Sequence, residues 1–305
     1  MAVNTAKATV ALQDLTRRFD KAVSYTNPVY PRIATTFPSN SASERYAMLG
    51  AMPQVREWLG ERYEESLRAF DQTVTNQLWE STVNIEETDL EDDTIGLYGP
   101  VIDELAMRAA YHPDELLITS AVANTWTCMD GVALFSNSHS WGGNPIDNNL
   151  GYTVVSTTAV TTAEMKAAIL AARSAMLGYV DDNGKPLIQP TPGMNQWVVM
   201  VPLELEQQTR EALQATILSN TTNIVPDGAS MEVIVNTHLT SAVKFYMFHV
   251  GNALRPFIFQ ARTPLERQIK GLGDIQYKDV KFMTRARYTV APGAFWNATL
   301  TTLST

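Results

Sequence analysis

From residue 231 to the end of the chain strands dominate, which limits the fold to those that add a late β-rich segment to earlier helices. The runs MEVIVNT (231–237), AVKFYMFHV (242–250), PFIFQAR (256–262), VKFMTRARYTV (280–290) and FWNATLTTL (295–303) are rich in β-branched and aromatic residues. Ahead of them, TTAEMKAAILAARSAML (161–177) is the clearest helix, with Thr161 and Glu164 at capping-box spacing and an alanine-rich interior. WVVMV (197–201), then Pro202 and LELEQQTREALQATIL, reads as strand followed by helix, which implies a sheet covered by helices. No repeat of fixed period occurs, which argues against solenoids and propellers. The fold class is α+β, with late strands returning to pack on earlier helices.

The first third is less regular. Asn27-Pro28, Tyr30-Pro31 and Phe37-Pro38 push their preceding residues toward extended geometry. Residues 1–40 therefore read as a short helix near 10–20 followed by an arm that packs poorly on its own domain. Residues 44–86 carry scattered aromatics (Tyr46, Trp58, Tyr63) and end in QTVTNQLWESTVNIE (72–86), which alternates at Trp79, Ser81, Val83 and Ile85. Together they read as a long projecting hairpin, although Leu67, Phe70, Val74 and Leu78 also fit a helix. Residues 100–123 are helical: Pro100 suits a first helical position, Asp103 and Glu104 follow at the positive end of the dipole, and Ile102, Leu105, Ala106 and Ala109 mark the buried stripe. Pro113 is expected to kink or divide this helix.

The chain has 305 residues, enough for one to three domains and a substantial core. With 45% hydrophobic and 18% charged residues it is not a largely disordered chain. Its net charge of −9 runs against a dedicated nucleic-acid-binding module. The single cysteine, Cys128, cannot form an internal disulfide, which fits a reducing compartment or a chain with no need for staples. No apolar run is long enough for a membrane span, and the N-terminus makes a poor signal peptide, so a soluble cytoplasmic chain is the default expectation.

Charge is unevenly placed. Residues 80–115 hold eleven acids against Arg108 alone, whereas 255–290 hold eight bases against Glu266, Asp274 and Asp279. Such segments can pair within a subunit or between copies, or can simply be two solvated faces. The stretch 116–163 is rich in Ser, Thr, Asn and Gly with few charges, as in long loops or an interface.

Little in the chain suggests catalysis. His112, His139, His238 and His249 have no metal-ligand spacing. His139 lies between serines, but no G-x-S-x-G elbow exposes a nucleophile, and it reads as a loop residue. Cys128 reads as a small buried hydrophobe. Asp181-Asp182-Asn183-Gly184 reads as a turn, and Asp92-Asp93 as a helix entry, with calcium a minor option. GLGD (271–274) lacks the remainder of a phosphate-binding loop. The tryptophans, Trp58 and Trp79 among them, read as core or interface anchors. No catalytic, cofactor or metal residue is assigned.

REWLGER (56–62), ESTVNIEETDLEDDTIGLYGPVIDELAMRAAYHPDELL from Glu80, DGVALFSNSHSW (130–141), DDNGKPL and WVVMVPLELE occur in an order that resembles the major head subunit of Mu-like tailed phages. The similarity runs over roughly residues 30 to 300. It implies a Hong-Kong-97-type capsid fold: an arm at 1–40, an extended loop at 41–86, a peripheral domain at 87–159 with a spine helix at 100–123, an axial domain at 160–250, and return strands of the peripheral domain at 251–305. It also implies hexamers and pentamers of the chain itself, closing an icosahedral virion shell around double-stranded DNA. Portal, scaffold or protease, and decoration proteins would be partners, assembly would take place in the host cytoplasm, and there would be no cofactor and no membrane. Trp58, Arg62, Trp79, Asp92, Asp93, Arg262, Arg267 and Lys270 are the candidate inter-subunit contacts. Net negative charge suits a wall that should not hold packaged DNA, since phosphate attraction requires Lys and Arg. Alternatives are a cellular nanocompartment shell on the same fold, distinguished by its cargo, and a soluble hydrolase using His139.

Overall fold

The computed structural model describes residues 2–49, 60, 69–86, 89, 95–189, 196–214, 217–218, 221–222, 231–270 and 279–305. The first half holds helix α1 (Ala2–Tyr25), the single turn α2 (Tyr30–Ile33), strands β1 (Ala34–Pro38), β2 (Ser43–Leu49), β3 (Ala69–Thr75) and β4 (Gln77–Glu86), helix α3 (Ile95–Ala123), and the short strands β5 (His139–Trp141), β6 (Asn144–Ile146) and β7 (Asn149–Thr153). The second half holds α4 (Thr162–Leu177), β8 (Trp197–Val201), α5 (Glu206–Gln214), β9 (Ile217–Leu218), β10 (Thr221–Thr222), β11 (Met231–Val235), β12 (Lys244–His249), β13 (Phe257–Lys270), β14 (Asp279–Pro292) and β15 (Ala298–Ser304).

Two sheets organise the chain. The first has the order β1-β13-β14-β4, with β1 parallel to β13 and the other pairs antiparallel. On one of its faces Leu12, Leu15 and Phe19 of α1 meet Ile102, Leu105 and Ala106 of α3 over Ile85, Val280 and Phe282. The rings of Phe19 and Phe282 stand 5.6 Å apart. This corrects the expectation for residues 1–40. The helix foreseen near 10–20 is 24 residues long and folds back on its own chain. Ala11, Leu12, Leu15 and Phe19 form a helical stripe whose apolar partners lie far away in sequence, on α3 and β14.

The second sheet has the order β11-β8-β12-β15-β7. β8 is buried at every position, as its unbroken apolar run requires. It returns through α5 to the parallel β11, a crossover unit. α4 starts as expected: the Thr161 hydroxyl accepts from Glu164 N–H at 3.3 Å, and the Glu164 carboxylate accepts from Thr161 N–H at 2.9 Å. Its stripe Met165, Ala168, Ile169, Ala172 and Met176 is buried. β15 lies between β12 and β7 in this sheet, so sheet membership does not follow the expected division at residue 250.

α3 joins the two layers and departs from expectation at both of its prolines. It begins at Ile95, which places Pro100 inside the helix, and it continues through Pro113 to Ala123. Its buried residues explain this continuity: Ile102 to Ala106 sit in the α1 cluster, while Leu117, Ile118 and Ala121 sit in the main core. Burial at both ends outweighs the cost of about 3 kcal/mol that a proline imposes within a helix.

The turn read at 181–184 is present: Asp181 Oδ1 accepts from the N–H of Asn183 at 2.9 Å and of Lys185 at 2.7 Å. Against it lies the β5–β6 turn, where Gly142 has φ +59° and a Cβ would stand 2.1 Å from Asp182 Cβ. Gly142→Ala is expected to cost about 3 kcal/mol, left-handed strain plus overpacking. Gly143→Ala has φ +93° and open space, and should cost only about 1 kcal/mol. Urea denaturation of the two variants checks this, and equal losses would refute the packing argument.

Candidate subunit-contact surface

β2 and β3 pair antiparallel from Ser43↔Thr75 to Leu49↔Ala69 and join neither large sheet. The hairpin is therefore attached to the body through its base. The strand read across 72–86 is in fact two strands separated at Asn76, whose buried side chain donates to Ser39 Oγ at 2.7 Å and to Ser41 O at 3.0 Å. Asn is depleted from strands, and this residue was the available signal for the break. One Glu44 oxygen accepts from Ser39 Oγ at 2.9 Å, Asn40 N–H at 2.9 Å and Ser41 N–H at 3.1 Å. These bonds, the Asn40 N–H first among them, hold the Glu44 carboxyl down at about 2. Tyr46 donates to Gln260 Oε1 at 2.9 Å, and Gln260 donates to Val74 O at 3.3 Å, so the base is also tied to β13. Burial, with the charge of Glu44 adding, pushes the Tyr46 hydroxyl up to about 12. Of the hairpin read over 44–86, the described residues show β2 paired with β3, while β4 lies in the first sheet beside β14; the bonds at the hairpin base were not read from the sequence.

Between α3, β4, β14 and the 235–238 loop runs a groove of about 730 Å³. Trp79, a candidate contact, forms part of it. Its Nε1–H donates to Tyr288 O at 3.1 Å, and its ring lies 4.4 Å from that of His112. His112 Nδ1 and the Tyr288 hydroxyl share a hydrogen bond of 2.6 Å. Burial holds His112 below its usual value, with Glu115 opposing, so the ring stays neutral near pH 7. The buried Asp114 accepts from Val29 N–H and Tyr30 N–H, each at 2.6 Å, and fixes the start of α2 to α3.

The other candidates are spread out. Arg262, Arg267 and Lys270 share β13, but Arg267 pairs with Asp20 of its own α1. Arg262 is half-buried at a register shift, and its Nη1 has no hydrogen-bond partner among the described residues. Lys270 is exposed. Trp58, Arg62, Asp92 and Asp93 lie outside the described residues, as does GLGD (271–274). The acidic and basic segments meet within one chain where Glu80 of β4 stands opposite Arg285 of β14.

His139 is a buried strand residue rather than a loop residue. Nδ1 lies 2.6 Å from Asp130 Oδ2, Nε2 lies 3.1 Å from Leu134 O, and the ring stacks on Phe295 at 4.2 Å. Both nitrogens face fixed acceptors, so neither is placed to take a proton from a serine. Burial pushes the Cys128 thiol up to about 12, with Asp130 adding, and keeps it inert. Among the described residues no group of acids, histidines and cysteine is placed to hold a metal, and no helix is long and apolar enough to cross a membrane.

Residues 9–156 match the family described as the Mu-like prophage major head subunit gpT. Over 116 residues the chain is 39% identical to the Mu-like prophage FluMu major head subunit of Haemophilus influenzae, covering 38% of each chain. Over 111 residues it is 35% identical to the major capsid protein of Escherichia phage Mu, covering 36% of each. Residues 9–156, just under half of the chain, are thus similar to Mu-like head subunits. The alignments thus span little more than a third of those two relatives. The procapsid of bacteriophage JBD30 extends the likeness in space: 97% of this chain and 75% of that one superpose with a TM-score of 0.57 at 24% identity. The Mu-like segment is therefore part of a Hong-Kong-97-type phage capsid fold that continues to the last strand.

Proposed function

We propose that this chain is the major capsid protein of a Mu-like tailed phage. It assembles with itself into hexamers and pentamers that close an icosahedral head around double-stranded DNA. The observation that carries this reading is the 39% identity to a Mu-like major head subunit within a capsid fold. The β2–β3 hairpin supports it, since a strand pair that joins neither large sheet has surface to offer to neighbours. Net charge of −9 supports it as well, because such a wall repels the phosphates it would enclose. Its work is structural rather than catalytic. Portal, scaffold or protease, and decoration proteins would complete the head, which is built in the host cytoplasm and leaves as a virion. Electron microscopy of the overexpressed chain tests the reading. Shells, tubes or free capsomers are expected, and a compact monomer that stays solitary at high concentration would overturn it.

A further inference from the structure

β13 outruns its neighbour. β1 pairs with it only from Phe257 to Ala261. Ser39 N–H then donates to Ala261 O at 2.8 Å, and the chain turns away into the hairpin. Beyond Ala261, β13 keeps β14 on one side, and among the described residues no strand pairs with its other side. Residues 266–270 are exposed. An edge of this kind presents a row of free N–H and C=O groups to any strand that fits it. Pro264 has no N–H to give and limits the usable stretch to 265–270.

The side chains of that stretch select the strand that fits. Glu266 stands opposite Arg285 and Lys270 opposite Lys281, which places Glu266 and Lys270 on the sheet face away from α1. Arg267 and Ile269 stand opposite Thr284 and Phe282 on the α1 face, where Arg267 reaches Asp20. Lys270 thus stands opposite a like charge within its own sheet, so an anion on the facing edge of a second strand is favoured beside it. A second β13 laid antiparallel about a two-fold axis at Gln268 supplies that anion. Glu266 then stands opposite Lys270 of the partner subunit, and Lys270 opposite Glu266 of the partner subunit, on one face. Moving the axis to Glu266 or Arg267 sets like charges against each other. Only the register at Gln268 pairs opposite ones.

We propose that residues 265–270 of β13 form an edge-to-edge contact between two copies of this chain, antiparallel about a two-fold axis at Gln268. The contact rests on the reading that copies meet in a shell wall, and it says which strand makes one of the seams. Directly opposed residues in such a pair have Cβ atoms about 4.5–5.5 Å apart, close enough for a disulfide after small adjustment. Gln268→Cys is therefore expected to give a covalent dimer on a denaturing gel run without reductant after mild oxidation. The native chain, whose one cysteine is buried, should stay monomeric on the same gel. In that background, Glu266→Lys and Lys270→Glu should each lower the dimer yield several-fold, and the two together should restore it. A monomeric Gln268→Cys chain, or equal yields across the charge variants, overturns the contact. Electron microscopy of the same samples separates the two readings. Shells without dimers remove only this seam, while dimers without shells keep the seam and remove the wall.

Discussion

Phe282→Ala is expected to lower folding stability by about 3–5 kcal/mol and to loosen α1 from the body. Phe282 is fully buried and carries the ring contact with Phe19. Its cluster is small, with few other residues to close over the space left behind, so the variant should lie toward the upper end of the range. Two measurements check it: urea denaturation of the purified chain, and limited trypsin digestion, whose cleavage at Arg17, Arg18 and Lys21 should speed up in the variant. Val10→Ala on the same helix, at a position 65% exposed, should change stability by less than about 0.5 kcal/mol. A Phe282→Ala loss below about 1 kcal/mol with unchanged digestion would mean that α1 is held by something other than this packing.

The second large effect is an acid limb set by His249. The side chain is fully buried at the end of β12, with its ring 4.8 Å from that of Trp197. Burial drives its pKa down to about 4 from 6.5, with the Asn297 side chain opposing only weakly, since neither ring nitrogen has a hydrogen-bond partner among the described residues. The folded state therefore refuses a proton that the unfolded chain accepts. The stabilisation is fully present above pH 6.5 and is lost as pH falls through that value toward 4. The interval corresponds to about 3 kcal/mol. His249→Leu removes the titrating group, so the stability difference between native and variant should shrink by about that amount between pH 7 and pH 4. Denaturation midpoints at several pH values read it directly. A difference constant across that range would assign acid sensitivity to the carboxylates instead.

The fold was legible wherever the deciding contacts are local. The Thr161–Glu164 box started α4 as written, and the turn at 181–184 formed from its own Asp and Gly. The strand runs after residue 231 became β11 to β15 because β-branched and aromatic residues mark strands before any partner is known. Reading failed where a residue's role depends on distant chain. Pro113 looked like a break because proline costs are local, while the burial of Leu117, Ile118 and Ala121 that sustains the helix is not. Asn76 was absorbed into one strand because its bonds to Ser39 and Ser41 cross the hairpin base. Trp79 read as a core or interface anchor, and only the structure shows that within this chain its indole is engaged by Tyr288 and His112.

The strand-forming runs and the capping residues belong to the sequence by itself, since each depends on neighbours within a few positions. They specified an α+β chain with a β-hairpin in its first third. Tertiary structure alone decided that α1 lies on β14, that Glu80 faces Arg285 within one chain, and that β13 extends past β1 with no strand on that side among the described residues. The physical reason is that burial and register are properties of pairs. Neither apolar stripe of such a pair nor either strand edge specifies its partner until the chain has closed upon itself.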